Sequence, residues 1–181
     1  MKVIIALGNP GTNYIRTRHN TGFLYADFLI SEFGNSNWKH ESKLRADIYD
    51  LFIENQKILV VKPTTFMNDS GTAVYKCLQF YKTLVSDIIV VHDDLDIFLG
   101  KYKLVKQKGP KGHNGLLSIE KHIHTDEFIR LRIGVNNRLE DMNRYQSGEE
   151  YLLSVFTQEE FLLLSETFTK TLKELIFRLI H

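Results

Sequence analysis

Apolar positions along the chain fall into two kinds of run, and their alternation predicts the elements. Val3-Ile4-Ile5-Ala6-Leu7 is a short unbroken apolar run that stops at Gly8 and a Pro10-Gly11 pair, the mark of a buried strand and a turn. From Asn20 to about Phe33, Phe23, Leu24, Phe28 and Leu29 recur at helical spacing. Leu44 to Ile53 and Ile58 to Lys62 read as two strands of a hairpin joined at Glu54-Asn55-Gln56. A loop over Pro63 to Ser70 follows, with Asn68 or Asp69 placed to cap a helix running to about Tyr81. Asp87 to Val91 is nearly continuous in apolar residues, as in a strand covered on both faces, and it delivers His92-Asp93-Asp94-Leu95-Asp96 at its end.

Lys101 to Val105 predicts a further strand, Gly109 to Gly112 a loop, Asn114 to His122 a helix, and Ile129 to Val135 a strand. Asn136 to Gly148 is polar and reads as a mobile loop. Phe161, Leu164, Phe168, Leu172, Leu175 and Leu179 then line one side of a C-terminal helix. Strands alternating with helices predict an α/β fold with helices on both faces of the sheet, and the hairpin requires the sheet to be mixed. No repeat and no linker-like stretch divides residues 1–181, so one domain is expected.

Composition narrows the setting. No apolar run approaches the ~20 residues that span a bilayer, and the first apolar run is shorter than a signal-peptide core of about 7 residues or more. A single cysteine, Cys77, excludes an intrachain disulfide and fits a reducing cytoplasm. It lies on an apolar helical stripe, as a core thiol does. A formal net charge of +1 conceals five lysines and no carboxylate between Gly100 and His113. That stripe is either a solvated surface or a contact for an anionic partner.

Four polar blocks fall at strand ends or in loops, where α/β sheets collect ligands. His19 is the candidate base, because an imidazole is largely neutral near pH 7. Its partner would be a carboxylate that holds the tautomer, and Asp93, Asp94 and Asp96 all qualify by position. No Gly-x-Ser-x-Gly elbow offers a nucleophile, so a base of this kind would activate water against an ester. Asn9, Asn68 and Asn114 each sit at a turn or helix start, where an amide either caps the backbone or holds a substrate. The Asp93–Asp96 run, supplemented by His113, also admits a divalent metal and a metal-dependent phosphoesterase. Tyr14 and Phe66 are aromatics outside any periodic pattern, free to pack locally or to meet a base of RNA.

Taken together, Leu7-Gly8-Asn9-Pro10-Gly11 with Tyr14 and Thr17-Arg18-His19-Asn20, then Pro63 to Gly71, His92 to Asp96, Gly112-His113-Asn114-Gly115 and Leu131-Arg132-Ile133-Gly134 closely resemble bacterial peptidyl-tRNA hydrolases. Tyr151 to Phe156 is similar to the family's closing segment. The resemblance implies a three-layer α/β domain around a twisted mixed sheet, and a cytoplasmic, monomeric esterase needing no cofactor and no metal. Its substrate would be peptidyl-tRNA, held at the acceptor stem and 3′ end, and its task the recycling of tRNA from abortive translation. It implies His19 as proton acceptor and Asp93 as the group stabilising its basic form. Asn9, Tyr14, Phe66, Met67, Asn68 and Asn114 would bind substrate, with Asn9 distinguishing blocked from free aminoacyl-tRNA. Lys103, Lys106, Lys108 and Arg132 would face tRNA phosphates. Departures are Ala6 for a usual glycine, Pro110 and Lys111 before His113, and Asn136-Asn137 after Gly134. A catalytically silent RNA-binding relative is the rival within the same fold.

Overall fold

The computed structural model describes residues 1–34, 37–107, 109, 112–138 and 147–180. Strand β1 (Lys2–Ala6) lies in the middle of a seven-stranded sheet. The others are β2 (Lys39–Glu41), β3 (Ala46–Ile53), β4 (Gln56–Pro63), β5 (Ile88–Phe98), β6 (Tyr102–Lys106) and β7 (Ile129–Asn136). Their order is β2-β3-β4-β1-β5-β7-β6. The β4-β1-β5-β7 block is parallel, while β2, β3 and β6 pair antiparallel, so the sheet is mixed.

Helices cover both faces. Alternation along β1 sends Ile4 and Ala6 to one side, where α1 (Thr21–Phe33) and α5 (Gln158–Ile180) pack through Tyr25, Leu29, Leu164 and Phe168. Val3, Ile5 and Leu7 point to the other, against α2 (Ser70–Tyr81) and α3 (Asn114–Ile123) through Val74, Cys77, Leu116 and Ile119. The chain leaves β1 through α1 on one face and β4 through α2 on the other. Their loops therefore diverge beside one another, which opens a crevice beyond the strand C-termini. The described helices include none long and apolar enough to cross a membrane.

Two glycines bring the site's elements together. Gly22, in the first turn of α1, lies so close to the sheet that a Cβ would sit 2.4 Å from the Leu7 carbonyl oxygen and 2.5 Å from that of Val91. The start of α1 thus rests on the backbone of β1 and β5, and the residues just before it are held over the β5 end. Gly134 of β7 would place a Cβ 2.2 Å from the Phe98 carbonyl oxygen, so only glycine lets β5 fold back there.

The observed elements follow the apolar pattern, with four differences, the first being the short edge strand β2, which the pattern did not indicate. β5 does not stop at Val91 but runs on to Phe98, pairing in register with β7 through Asp94 before the register shifts. Asp93 is therefore held inside a strand, not in a loop. Helix α2 starts after a 3-10 turn at Met67–Asp69; Asp69 occupies the cap position without making the cap bond, and its carboxylate takes Thr72 Oγ1 and Arg45 instead. A short helix α4 (Gly148–Leu153) also falls partly where a loop was expected. Ser147 and Glu150 form a reciprocal capping box at its start, a signature visible as Ser-x-x-Glu. Of the expected mobile loop from Asn136 to Gly148, Asn136 belongs to β7 and residues 139–146 lie outside the described residues.

Candidate active site

The turn after β1 is built around two asparagines. Asn20 Oδ1 accepts from the Asn9 backbone N–H at 2.8 Å, and its Nδ2 donates to the Asn9 carbonyl at 2.9 Å. The loop from Asn9 to Asn20 is thereby closed on itself with His19 at its end. Asn9 Oδ1 in turn accepts the Met67 backbone N–H at 2.8 Å, tying the β1 loop to the β4 loop. This bond spends the carbonyl end of the Asn9 amide and leaves its NH₂ end as the free group. Asn20 carried no function in the sequence beyond standing next to His19.

His19 is buried, and its Nδ1 lies 2.9 Å from Asp93 Oδ1. The same oxygen meets His113 Nε2 at 3.1 Å. His113 is the N-cap of α3, and its Nδ1 accepts the Leu116 N–H. That places its proton on Nε2, where Asp93 receives it. Asp93 likewise accepts a hydrogen bond from His19 Nδ1–H, so Nε2 of the neutral ring carries the lone pair, without a partner among the described residues. Position alone did not choose among the three aspartates, and the fold does. Asp94 pairs with Arg132 at 2.6 Å, and Asp96 is exposed, so only Asp93 faces the imidazoles.

The charges follow from this packing. Burial lowers the pKa of His19, but the Asp93 charge and hydrogen bond, with a smaller effect from Glu149, outweigh it and leave the pKa raised above 6.5. Burial alone would raise that of Asp93; His19 and His113 together hold it well below the usual carboxylate range. His92 is fully buried, and burial with the neighbouring His113 depresses its pKa to about 3. Its Nδ1 donates to the Asp93 carbonyl at 2.7 Å, so it is a neutral brace behind the site.

Asn9, Tyr14, His19, Phe66, Met67, Asn68, His113 and Asn114 all line one cleft of about 630 Å³. Neither Asn68 nor Asn114 caps a helix through its side chain, and both are exposed. Phe66 and Tyr14 meet edge to face at 6.3 Å on the rim, with Phe66 56% exposed, while Met67 is buried beneath them. Leu95, Leu152, Leu153 and Glu149 form a further wall that the sequence did not flag as part of a site.

The basic stripe divides. Lys103 and Lys106 are exposed on the edge strand β6, with Glu127 3.8 Å from Lys106. Lys108 lies outside the described residues. Arg132 is half-buried and pairs with Asp94 at 2.6 Å, so it is not a free surface cation. Cys77 is a core thiol, its pKa pushed up to about 12 by burial.

A different arginine matters more than expected. Arg18 is buried and binds Glu160 of α5 with bonds of 2.9 and 2.7 Å. Its guanidinium also lies over the rings of Tyr151 and Phe156. The residue next to His19 is thus clamped to the C-terminal segment.

The ligand atoms of His19, Asp93 and His113 also lie within 4.8 Å of one another, as a metal-binding set requires. Their 2.9 and 3.1 Å separations are equally those of charge-assisted hydrogen bonds to one shared oxygen. The Asp93 to Asp96 run considered as an alternative metal site is dispersed by the strand, which turns its carboxylates to different partners.

A profile of the peptidyl-tRNA hydrolase family matches residues 3–180. The chain belongs to the peptidyl-tRNA hydrolase family. The peptidyl-tRNA hydrolase of Mycoplasma mycoides is 43% identical over 168 residues, covering 93% of this chain and 87% of the relative. That of Pseudothermotoga lettingae is 41% identical over 174 residues, covering 96% and 87%. The crystal structure of the Acinetobacter baumannii peptidyl-tRNA hydrolase superposes with a TM-score of 0.87 at 30% identity, covering 99% of this chain and 88% of that one. The fold expected from the apolar pattern is thus that of solved peptidyl-tRNA hydrolases, and the chain is an enzyme of this class.

Proposed function

We propose that the enzyme cleaves the ester joining a peptide, or an N-blocked amino acid, to the 3′-terminal ribose of tRNA, with His19 as general base. The observation that carries this reading is the 2.9 Å contact of His19 Nδ1 with buried Asp93, in a cleft that the uncharged amides of Asn9, Asn68 and Asn114 also line. His19 Nε2 takes a proton from water as the water oxygen attacks the ester carbonyl carbon. Asp93 stabilises the imidazolium that forms. The N–H groups of Asn68 and Asn114 are the donors available to the developing oxyanion. Collapse breaks the bond from carbonyl carbon to ribose oxygen, and the imidazolium returns its proton to that oxygen. The products are a peptide acid and a tRNA with a free hydroxyl.

Asn9 explains the choice between blocked and free substrates. Its free NH₂ end donates to the acyl carbonyl that a peptide or N-acetyl group carries. An unblocked aminoacyl ester lacks that carbonyl and presents a cationic ammonium, which meets a donor with no lone pair to offer. Tyr14, Phe66 and Met67 receive the 3′ end of the RNA, and Lys103 and Lys106 contact its phosphates.

The test compares N-acetyl-aminoacyl-tRNA with its unblocked counterpart on the purified enzyme, with and without excess chelator. The blocked ester should be cleaved in preference, unaffected by chelator. Equal rates on the two would overturn the Asn9 role. Loss of activity in chelator would restore the metal reading at His19, Asp93 and His113, and binding without turnover would favour the silent relative.

A further inference from the structure

One part of the cleft lining has no place in the chemistry above beyond the small effect of Glu149 on His19. Leu95 from β5 and Leu152 and Leu153 from α4 give it an apolar lining, and Glu149, also from α4, adds a carboxylate. Among the described residues lining the cleft, Glu149 is the sole carboxylate, and no lysine or arginine is present. Its side chain is exposed and has no hydrogen bond or ion pair among the described residues. The cap of α4 does not need it, because Ser147 and Glu150 complete the box between themselves.

A carboxylate in a cleft that receives a polyanion opposes binding unless it meets a cation on another part of the ligand. The reading above gives the RNA end to Tyr14 and Phe66, so the leucines are left to the peptide. Aliphatic lining together with a carboxylate matches a lysine or arginine side chain, whose methylene stem packs on apolar surface while its charged head reaches outward.

We propose that Leu95, Leu152, Leu153 and Glu149 form a side-chain subsite that favours peptidyl-tRNAs carrying a basic residue next to the ester. This inference rests on the peptidyl-tRNA hydrolase reading and concerns its preference among substrates. Because Glu149 is exposed, the preference is modest and sensitive to salt.

The experiment uses one tRNA acylated chemically with N-acetyl-lysine, N-acetyl-glutamine or N-acetyl-glutamate. Specificity constants are measured at low salt for the natural enzyme, Glu149→Gln and Glu149→Lys. The natural enzyme should prefer the lysyl over the glutaminyl ester by roughly two- to fivefold, with the difference in KM, and should disfavour the glutamyl ester. Glu149→Gln should bring these ratios close to one, and Glu149→Lys should invert them. Each ratio is taken within a single enzyme, so a general loss of activity cancels. Equal ratios in the natural enzyme and Glu149→Gln would overturn the subsite. Failure of the natural enzyme on all three esters would overturn the hydrolase reading with it.

Discussion

At the scale of the residue, the chemistry rests on one imidazole and the groups that hold it. His19→Ala should lower turnover by roughly 10²–10⁴-fold while leaving tRNA affinity unchanged, measured by single-turnover hydrolysis beside filter binding. Turnover near that of the natural enzyme would remove the base from its role. The raised pKa of His19 sets the pH response. Because the neutral form is the base, kcat/KM should rise with pH through an apparent pKa above 6.5. The stability contribution has the opposite sign: it is fully present below the unfolded value of about 6.5 and is lost as pH rises through the folded one. Asp93→Asn removes the charge that opposes burial, so the acid limb should move to lower pH as the rate falls. An unmoved limb would separate His19 from Asp93. Which end of Asn9 faces substrate is a matter of one bond, since the Met67 N–H takes its carbonyl. Asn9 was legible as a candidate from its place in a turn, but not as a donor, because Met67 lies 58 residues away.

At the scale of the element, the question is what keeps α4, α5 and the His19 turn in one arrangement. Arg18 answers it: its backbone N–H donates to the Ser154 carbonyl, and its side chain pairs with Glu160 inside the protein. Burial raises the pKa of Glu160, but the bond from Arg18 and those from Thr157 and Asn137 bring it below the ordinary value. Its contribution to stability is therefore present above the unfolded value of about 4.3 and lost as pH falls through the folded one. Glu160→Gln leaves a buried guanidinium without its countercharge and should cost about 3–5 kcal/mol in urea denaturation near pH 7. The double variant Arg18→Met, Glu160→Gln should cost less than the sum of the single changes, and additive costs would deny the pairing. These partners are 142 residues apart, which is why Arg18 read only as a neighbour of His19.

At the scale of the whole molecule, the near-zero net charge leaves long-range attraction for RNA to local features. Lys103 and Lys106 stand exposed on β6, where lysines also serve to keep an edge strand from pairing with other chains. Neutralising both should weaken tRNA binding and reduce the slope of log affinity against log salt by about 1–2. An unchanged slope would leave them as guards of the edge. Lys103 is the cross-strand neighbour of Arg132, yet only the lysine remains free, because Asp94 lies beneath the arginine.

The order of apolar and polar residues by itself determined the elements, the two faces of the sheet, and the loops that hold chemistry. Burial periodicity is local, and residues such as Ile4 and Ile5 declare their opposite faces by alternation alone. It also placed His19, Asn9, Asn68 and Asn114 in loops near strand ends, and the family resemblance drew them to one site. The family resemblance named Asp93, but only the tertiary structure supplies the physical reason for that choice over its neighbours. Asp93, Asp94 and Asp96 are alike in type and position, and they differ in what surrounds them: two imidazoles, an arginine, and solvent. The sharing of Asp93 with His113, the lock between Asn20 and Asn9, and the clamp of Arg18 on Glu160 belong to the same class. Each joins groups far apart in the chain, and a contact of that kind exists only once the sheet and helices have packed.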